Sequence, residues 1–581
     1  MKNSSSLFAV SVVAASLSAS YAWAEIPTGK YCATESACKN PMVNNAAITT
    51  PNHLATQAGL EILQKGGNAV DAAIAAASTL AVVYPQMNTI GGDNFWLIYD
   101  SKNKQIHALN ASGRSGEGVT IDFYKSKGYD KIPSRGYLAA NTVPGIVSGW
   151  DAAHTFAQSH FNNKGLAWSQ LFDKAIGYAQ NGYVVTPSVA RWQEINTDTT
   201  DQVARNLQRF DEFRRVYLKP DGSSYQIGDI HRQPDLARTL STISKEGASA
   251  FYTGSIAKNI VADLQANGGV LTLNDFANHR ADWVTPLSVP YRGYTAYNLP
   301  PNTQGMASLA ILNILNNFDL SKVEEGSADY YHLMVEATKE AFIDRDTYLT
   351  DPDFSSIPTA QLLSSNHGKA QAARIDMTRA AGKNPPLEPK GDTVWLGVID
   401  KDGNAVSLIQ SIYHDFGSGI VAKNTGVLLQ NRGSFFSLDP NHVNHLEPNK
   451  RTFHTLNAAM ILDKSKNPVL IYGTMGGEGQ PQTQAAVATR VIDYGLSVQD
   501  AVAAPRWLYG RTWGAESNSL KLEGRIKDDV IKTLSDRGQP VEVLDDYTDT
   551  MGHAGAIYIN RKSGVISAAT DPRSDGLAAG Y

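Results

Sequence analysis

Gly391-Asp392-Thr393-Val394-Trp395-Leu396-Gly397-Val398-Ile399, running on into Asp400-Lys401-Asp402-Gly403-Asn404, is the stretch that decides the fold. The apolar run from Val394 reads as a buried strand. Asp402-Gly403, between two apolar runs, reads as the turn of a hairpin whose return strand follows. A threonine opening a strand needs no function, because β-branched side chains favour strands anyway. It gains chemistry if the peptide bond before it is cut. The freed α-amine then lies beside its own hydroxyl and serves as the base for nucleophilic attack.

Working outward, residues 394–399, 405–412, 457–462, 468–472, 555–560 and 565–570 read as strands, and 482–494 and 527–537 as helices. On the other side, 51–80 reads as helix broken at Gly66-Gly67-Asn68, with an alanine-rich buried helix resuming over 69–82. Residues 95–99 and 105–110 alternate as a strand pair turning near Ser101 to Lys104. Residues 145–280 read as mainly helical, and Ser327 as the N-cap of a helix running to Arg345. Strands flanked by helical blocks predict an α+β chain of stacked sheets covered by helices. No linker, long charge run or internal repeat divides the 581 residues.

The net charge of −5 gives no reason to expect a nucleic acid or an anionic membrane as partner. Residues 1–24 read as a secretory signal: Lys2, a small apolar segment from Leu7 to Leu17, and Ala22-Trp23-Ala24 as cleavage site, so that the mature chain starts at Glu25. The apolar segment is too short and serine-rich to span a bilayer. The expectation is a soluble exported protein, periplasmic where the host has two membranes. Cys32 and Cys38 are the two cysteines; a local disulfide and two free thiols both fit. Dispersed histidines and the absence of clustered Cys predict no metal and no other cofactor.

Further motifs stand along the chain: Asn68-Ala69-Val70-Asp71-Ala72-Ala73, Ile90-Gly91-Gly92, Val143-Pro144-Gly145, Tyr331-His332-Leu333 through Glu336-Ala337 to Asp344-Arg345, Phe416-Gly417-Ser418-Gly419-Ile420, Pro448-Asn449-Lys450-Arg451, Gly476-Gly477, Ala503-Ala504-Pro505-Arg506 and Asp571-Pro572-Arg573. With Gly391-Asp392-Thr393 they resemble the γ-glutamyltransferase family of N-terminal-nucleophile hydrolases, over nearly everything after residue 45. The resemblance implies a four-layer αββα sandwich, cleavage between Asp392 and Thr393, a large subunit 25–392 and a small subunit 393–581. Thr393 would be the nucleophile and Ser411 the second hydroxyl beside it. Gly476 and Gly477 would form the oxyanion hole, where glycine leaves backbone N–H donors unobstructed.

The substrate-reading positions depart from the family's pattern. Where typical members hold the substrate's α-amino group with Asn, Gln and Asp, this chain has Tyr413, Arg432 and Phe435. A Ser-Ser pair for the α-carboxylate corresponds to His454-Thr455. The family's arginine aligns with Ser112, and Arg114 lies two residues on. Val394-Trp395 replaces the usual start after the nucleophile. An acidic and amide site has become basic and aromatic, which repels an ammonium and attracts a carboxylate. The segments 431–440 and 453–456 resemble the acylase-like branch, with enzymes similar to cephalosporin (glutaryl) acylases and oxamate amidohydrolase. A shortened 437–448 stretch implies a more open site. The first reading is therefore a self-processing exported amidohydrolase acting on small γ-glutamyl or glutaryl-like amides, its partners being that substrate and its own two fragments. A conventional glutathione hydrolase and transpeptidase is the second, and an inactive binding relative the third.

Overall fold

The computed structural model describes residues 30–31, 41–201, 205–382, 392–510 and 519–581. The signal segment, Glu25, Cys32, Cys38, Gly391 and the side chain of Asp392 lie outside the described residues. Two seven-stranded sheets form the centre. In one, Asp392–Ile399 lies between Ala47–Thr50 and Ala405–Tyr413, and the sheet continues through Asp93–Asp100 and Gln105–Ala111 to Asp282–Val284, with Leu577–Gly580 on the far edge. In the other, Pro468–Thr474 lies between Ala459–Leu462 and Ala554–Ile559. Ile566–Thr570 and Met42–Val43 extend one side, and Tyr294–Asn298 and Leu287–Tyr291 the other. Every pairing in both sheets is antiparallel.

Side chains alternate across a strand, so each sheet has two faces to bury. Trp395, Ile399, Ile409, Phe95 and Leu97 meet Met460, Ile471 and Ile557 between the sheets. Val394, Leu396 and Val398 face the opposite way, onto helices that include Ala69–Val83 and Ile146–His160. The second sheet's outer face packs on Gly305–Leu315, Ala328–Tyr348 and Gly479–Ile492. The layers run helix, sheet, sheet, helix, as the α+β sandwich requires.

Local signals explain the boundaries. Asn68 accepts from the backbone N–H groups of Val70 and Asp71, and Asp71 answers to Asn68 N–H, a capping box that starts the alanine-rich helix. Ser327 caps Ala328–Tyr348. Gly403, at φ = 81°, closes the hairpin between Ile399 and Ala405. The hairpin Leu287–Tyr291 with Tyr294–Asn298 and the helix Gly305–Leu315 fall in a stretch the sequence reading left blank. No helix among the described residues is long and apolar enough to cross a membrane.

Candidate active site

The strand bearing Thr393 opens on a bulge. Asp392 pairs with Tyr413 and Val394 with Gln410, so Thr393 alone faces Ser411 and Ile412. Tyr413, just beyond, takes φ = 82°, and its N–H donates to Ser411 Oγ at 2.8 Å. Across its other edge Ser411 pairs with Asp93. By strand alternation Thr393, Ser411 and Asp93 share the inter-sheet face with Trp395, Ile409 and Phe95. The indole of Trp395 donates to Ser407 Oγ at 2.9 Å. It lies in a slot that Gly397, Gly473 and Gly555 leave clear: a Cβ on each would come within 2.7, 2.2 and 2.5 Å of the ring. Trp395 is therefore core packing, and its presence after Thr393 reflects the floor of the site rather than a substrate contact.

Thr393 is fully buried, and its Oγ1 accepts from Gln480 Nε2 at 3.4 Å. Gln480 Oε1 is held by the backbone N–H of Asn457 at 3.1 Å and its side-chain amide at 3.3 Å. Gln480 lies in the first turn of Gly479–Ile492. Gly476 and Gly477 precede that helix with φ of 120° and 52°, values that suit glycine. Gly476 O accepts from Gly479 N–H at 2.8 Å, and Gly477 O accepts from Gln480 N–H at 3.2 Å. The loop is thus a helix N-terminus, where N–H groups and the helix dipole favour an anion.

A buttress fixes this loop from below. Gln304 Nε2 donates to Gly477 O at 2.8 Å and to Thr455 O at 2.7 Å, while its Oε1 accepts from Arg345 at 3.0 Å. Arg345 also bonds Asp346 at 2.8 Å and stacks on Phe342. It meets Glu478 at 2.5 Å, a charge contact without hydrogen-bond alignment. Burial pushes the Glu478 carboxyl up to about 7, with Arg345 pulling against it and Asp346 adding to it.

The opposite wall is Arg432, His454, Thr455, Tyr413 and Phe435. Arg432 is 1% exposed, its guanidinium 4.0 Å over the Tyr413 ring. Both terminal nitrogens reach Thr455 Oγ1 at 3.4 Å, and Nε is buried without a partner. Burial lowers its pKa to about 10, which leaves it charged at neutral pH. His454 is pushed well below its ordinary pKa by burial and then by Arg432. Its Nδ1 accepts from Leu456 N–H at 3.4 Å, so the neutral ring carries its proton on Nε2 and donates to Asp93 Oδ2 at 3.3 Å. Phe435 stacks on Phe453 and meets Tyr413 edge-on.

Asp93 escaped the sequence reading. Its Oδ1 accepts from Gly113 N–H at 2.9 Å, Gly145 N–H at 3.2 Å and Gln430 Nε2 at 3.0 Å. Burial pushes it up to about 6 against those donors and Arg432. The signal was present: Ile90-Gly91-Gly92 leads straight into it, and a Cβ on Gly92 would lie 2.1 Å from the Ser411 carbonyl. Val143-Pro144-Gly145 supplies one of its donors. A carboxylate thus stands beside the basic and aromatic positions, although Asp93 is occupied by four donors. Two other carboxylates close in sequence to residues of the site are already paired: Asp415 is held by Arg135 at 3.1 Å, and Glu478 by Arg345.

Arg114 stands apart. It forms ion pairs with Asp282 at 3.2 Å and Asp353 at 3.4 Å, both partly exposed. The buried Arg451 shares Asp282 and donates to Ser112 O at 3.0 Å. The short 437–448 segment does not open the site. Ser437 bonds Asn444 and Leu446 through the backbone, and Phe436, Leu438 and Leu446 pack on Val119 and Tyr124. Thr393, Ser411, Arg432, His454 and Thr455 are each buried. Among the described residues no three His, Cys, Asp or Glu side chains are grouped to hold a metal.

A buried threonine hydroxyl bonded from the first turn of a helix suits acyl transfer with an anionic intermediate. The model of the gamma-glutamyltranspeptidase family matches residues 55–581. The chain is 47% identical over 533 residues to the glutathione hydrolase-like YwrD proenzyme of Bacillus subtilis, covering 92% of this chain and 98% of that protein. It is 44% identical over 536 residues to the oxamate amidohydrolase proenzyme of Klebsiella pneumoniae, covering 91% and 97%. The cephalosporin acylase of Bacillus halodurans superposes with a TM-score of 0.85 at 36% identity, over 94% of this chain and 97% of that one. The chain belongs to the gamma-glutamyltranspeptidase family, whose members are N-terminal-nucleophile amide hydrolases and acyltransferases.

Proposed function

We propose that this protein is an exported, self-processing amidohydrolase whose acyl substrate ends in a carboxylate and carries no α-amine, as a glutaryl group does. Export rests on residues 1–24. In maturation Thr393 Oγ attacks the Asp392 carbonyl, the acyl group shifts from nitrogen to oxygen, and water hydrolyses the ester. Fragments 25–392 and 393–581 remain together because both sheets interleave strands from either side of the cut. In turnover the Thr393 α-amine takes the hydroxyl proton, Oγ attacks the substrate amide, and Ser411 stands beside it. The oxyanion lies at Gly476 and Gly477, the amine departs, and water resolves the acyl-enzyme.

The observation that carries the substrate reading is Arg432. A buried cation without an anionic partner is costly, and among the described residues no carboxylate pairs with this one within 4 Å. A terminal acyl carboxylate completes the cluster through Arg432 and Thr455. An α-ammonium in the same place meets Arg432, the aromatic Tyr413 and Phe435, and an Asp93 already held by four donors. A second reading, a γ-glutamyl donor, draws on Asp93, a carboxylate bonded to this wall through His454. Glutaryl and γ-glutamyl anilides assayed side by side separate the two. Higher kcat/KM on the glutaryl compound supports the first reading; a clear γ-glutamyl preference overturns it.

A further inference from the structure

We propose that Gln480 is a catalytic residue of the deacylation half-reaction, donating a hydrogen bond to the Thr393 oxygen as that oxygen leaves the acyl carbon. The inference rests on Thr393 being the nucleophile. The amide is not free to rotate. Two donors from Asn457 occupy Oε1, so Nε2 is the end that faces Thr393. Its backbone N–H bonds Gly477 O, tying the donor to the loop that would bind the oxyanion. Asn457 is itself fixed by Ser308 at 3.0 Å, and Gln484 Nε2 bonds its carbonyl at 2.9 Å. A 3.4 Å contact is long for a ground-state hydrogen bond, and such contacts tighten as charge builds on the acceptor.

The chemistry gives this donor a direction. In acylation, Oγ loses its proton to the α-amine and uses a lone pair to bond the acyl carbon. A donor on Oγ draws on the same electron density and offers little. In deacylation, water bonds the acyl carbon and loses a proton to the α-amine. The tetrahedral oxyanion collapses, the C–Oγ bond breaks, and the electron pair returns to Oγ, which takes the proton back from the α-ammonium. Gln480 N–H stabilises Oγ while that pair arrives. Maturation ends with the same ester hydrolysis, so the same donor serves it.

The test is the decay of a preformed acyl-enzyme. Processed wild type, Gln480→Met and Gln480→Glu are loaded with glutaryl p-nitroanilide, separated rapidly from substrate, and followed by intact mass. Glu keeps an acceptor for Asn457 but presents no donor to Thr393. Both variants are expected to lose the acyl group at least about ten-fold more slowly than wild type, with the release of p-nitroaniline in the first turnover little changed. Wild-type decay in either variant overturns the inference. So does a slowed first turnover with unchanged decay, which is what a merely structural strut gives. A variant that stays uncut is read with hydroxylamine: an ester between 392 and 393 supports the inference, and an amide overturns it. No adduct on Thr393 in wild type removes the nucleophile reading and this inference together, whereas an adduct with unchanged decay removes this inference alone.

Discussion

Two buried clusters of charge, Arg506–Asp571–Arg573–Glu523 and Arg432–His454–Asp93, are bonded in opposite ways. In the first, Arg573 reaches Glu523 at 2.6 and 2.8 Å and Asp571 at 3.0 Å, and donates to Ala504 O at 3.1 Å. Arg506 pairs with Asp571 and donates to Gly552 O at 2.8 Å and Val502 O at 2.7 Å. Asp571 also accepts from Ala554 N–H at 2.6 Å. In the second, Arg432 has two 3.4 Å contacts to one hydroxyl and a ring face. Arg506, Asp571 and Arg573 lie in motifs shared with the family, whereas Arg432 and His454 stand where this chain departs from its pattern. The first pairs each of its carboxylates with arginine and ties residues 502–523 to the C-terminal Asp571-Pro572-Arg573, with only Arg506 Nε left unbonded; in the second, Arg432 has no carboxylate partner within 4 Å among the described residues.

Mutations should break the clusters differently, and the largest effect belongs to neither. Thr393→Ala is expected to abolish both cleavage and turnover, and Thr393→Ser to retain part of each, read by gel and by anilide assay. Next, Arg573→Met leaves Asp571 and Glu523 short of a partner in a dry site. It should cost about 3–5 kcal/mol in chemical denaturation of the processed protein. Arg432→Ala should leave stability nearly unchanged and reduce glutaryl over γ-glutamyl preference roughly ten- to a hundred-fold, because a charged hydrogen bond to the substrate is lost.

The clusters also differ in pH response. Burial would raise Asp571, but Arg506 and Arg573 outweigh it and hold it down to about 2. A depressed carboxyl contributes stability above its unfolded pKa and loses it as pH falls towards 2. Asp93 has the opposite sign: burial raises it to about 6, so its protonation favours the fold below its unfolded pKa, and that contribution is lost as pH rises through 6. The Tm deficit of Asp571→Asn should therefore be greatest near neutrality and shrink as pH approaches 2, while Asp93→Asn should lose less Tm at pH 7 than at pH 4. The smallest effect is expected for Arg114→Ala, whose ion pairs are partly exposed: within about 1 kcal/mol in stability, with substrate preference retained.

What could be read from the sequence follows from how local each cause is. The capping box at Asn68 and Asp71, the Ser327 cap and the Gly403 turn act within a few residues, and the elements they bound were legible. Leu287–Tyr291 was not, since Pro290 argues against a central strand; it is tolerated because this strand is the sheet's edge. Thr393, Ser411 and the glycine pair were legible as family motifs. Gln480 was not, because only the folding of the helix Gly479–Ile492 against Asn457 turns its amide towards a residue 87 positions earlier. Asp93 likewise becomes part of the site by meeting His454, 361 residues away.

Everything proposed here turns on a free amine at Thr393, since an acylated nitrogen cannot act as the base. Intact-mass analysis of the purified protein tests it directly. The account predicts two fragments, 25–392 and 393–581, with N-terminal sequencing of the smaller beginning Thr393-Val394-Trp395. A single uncut chain that nevertheless turns over amides would contradict it.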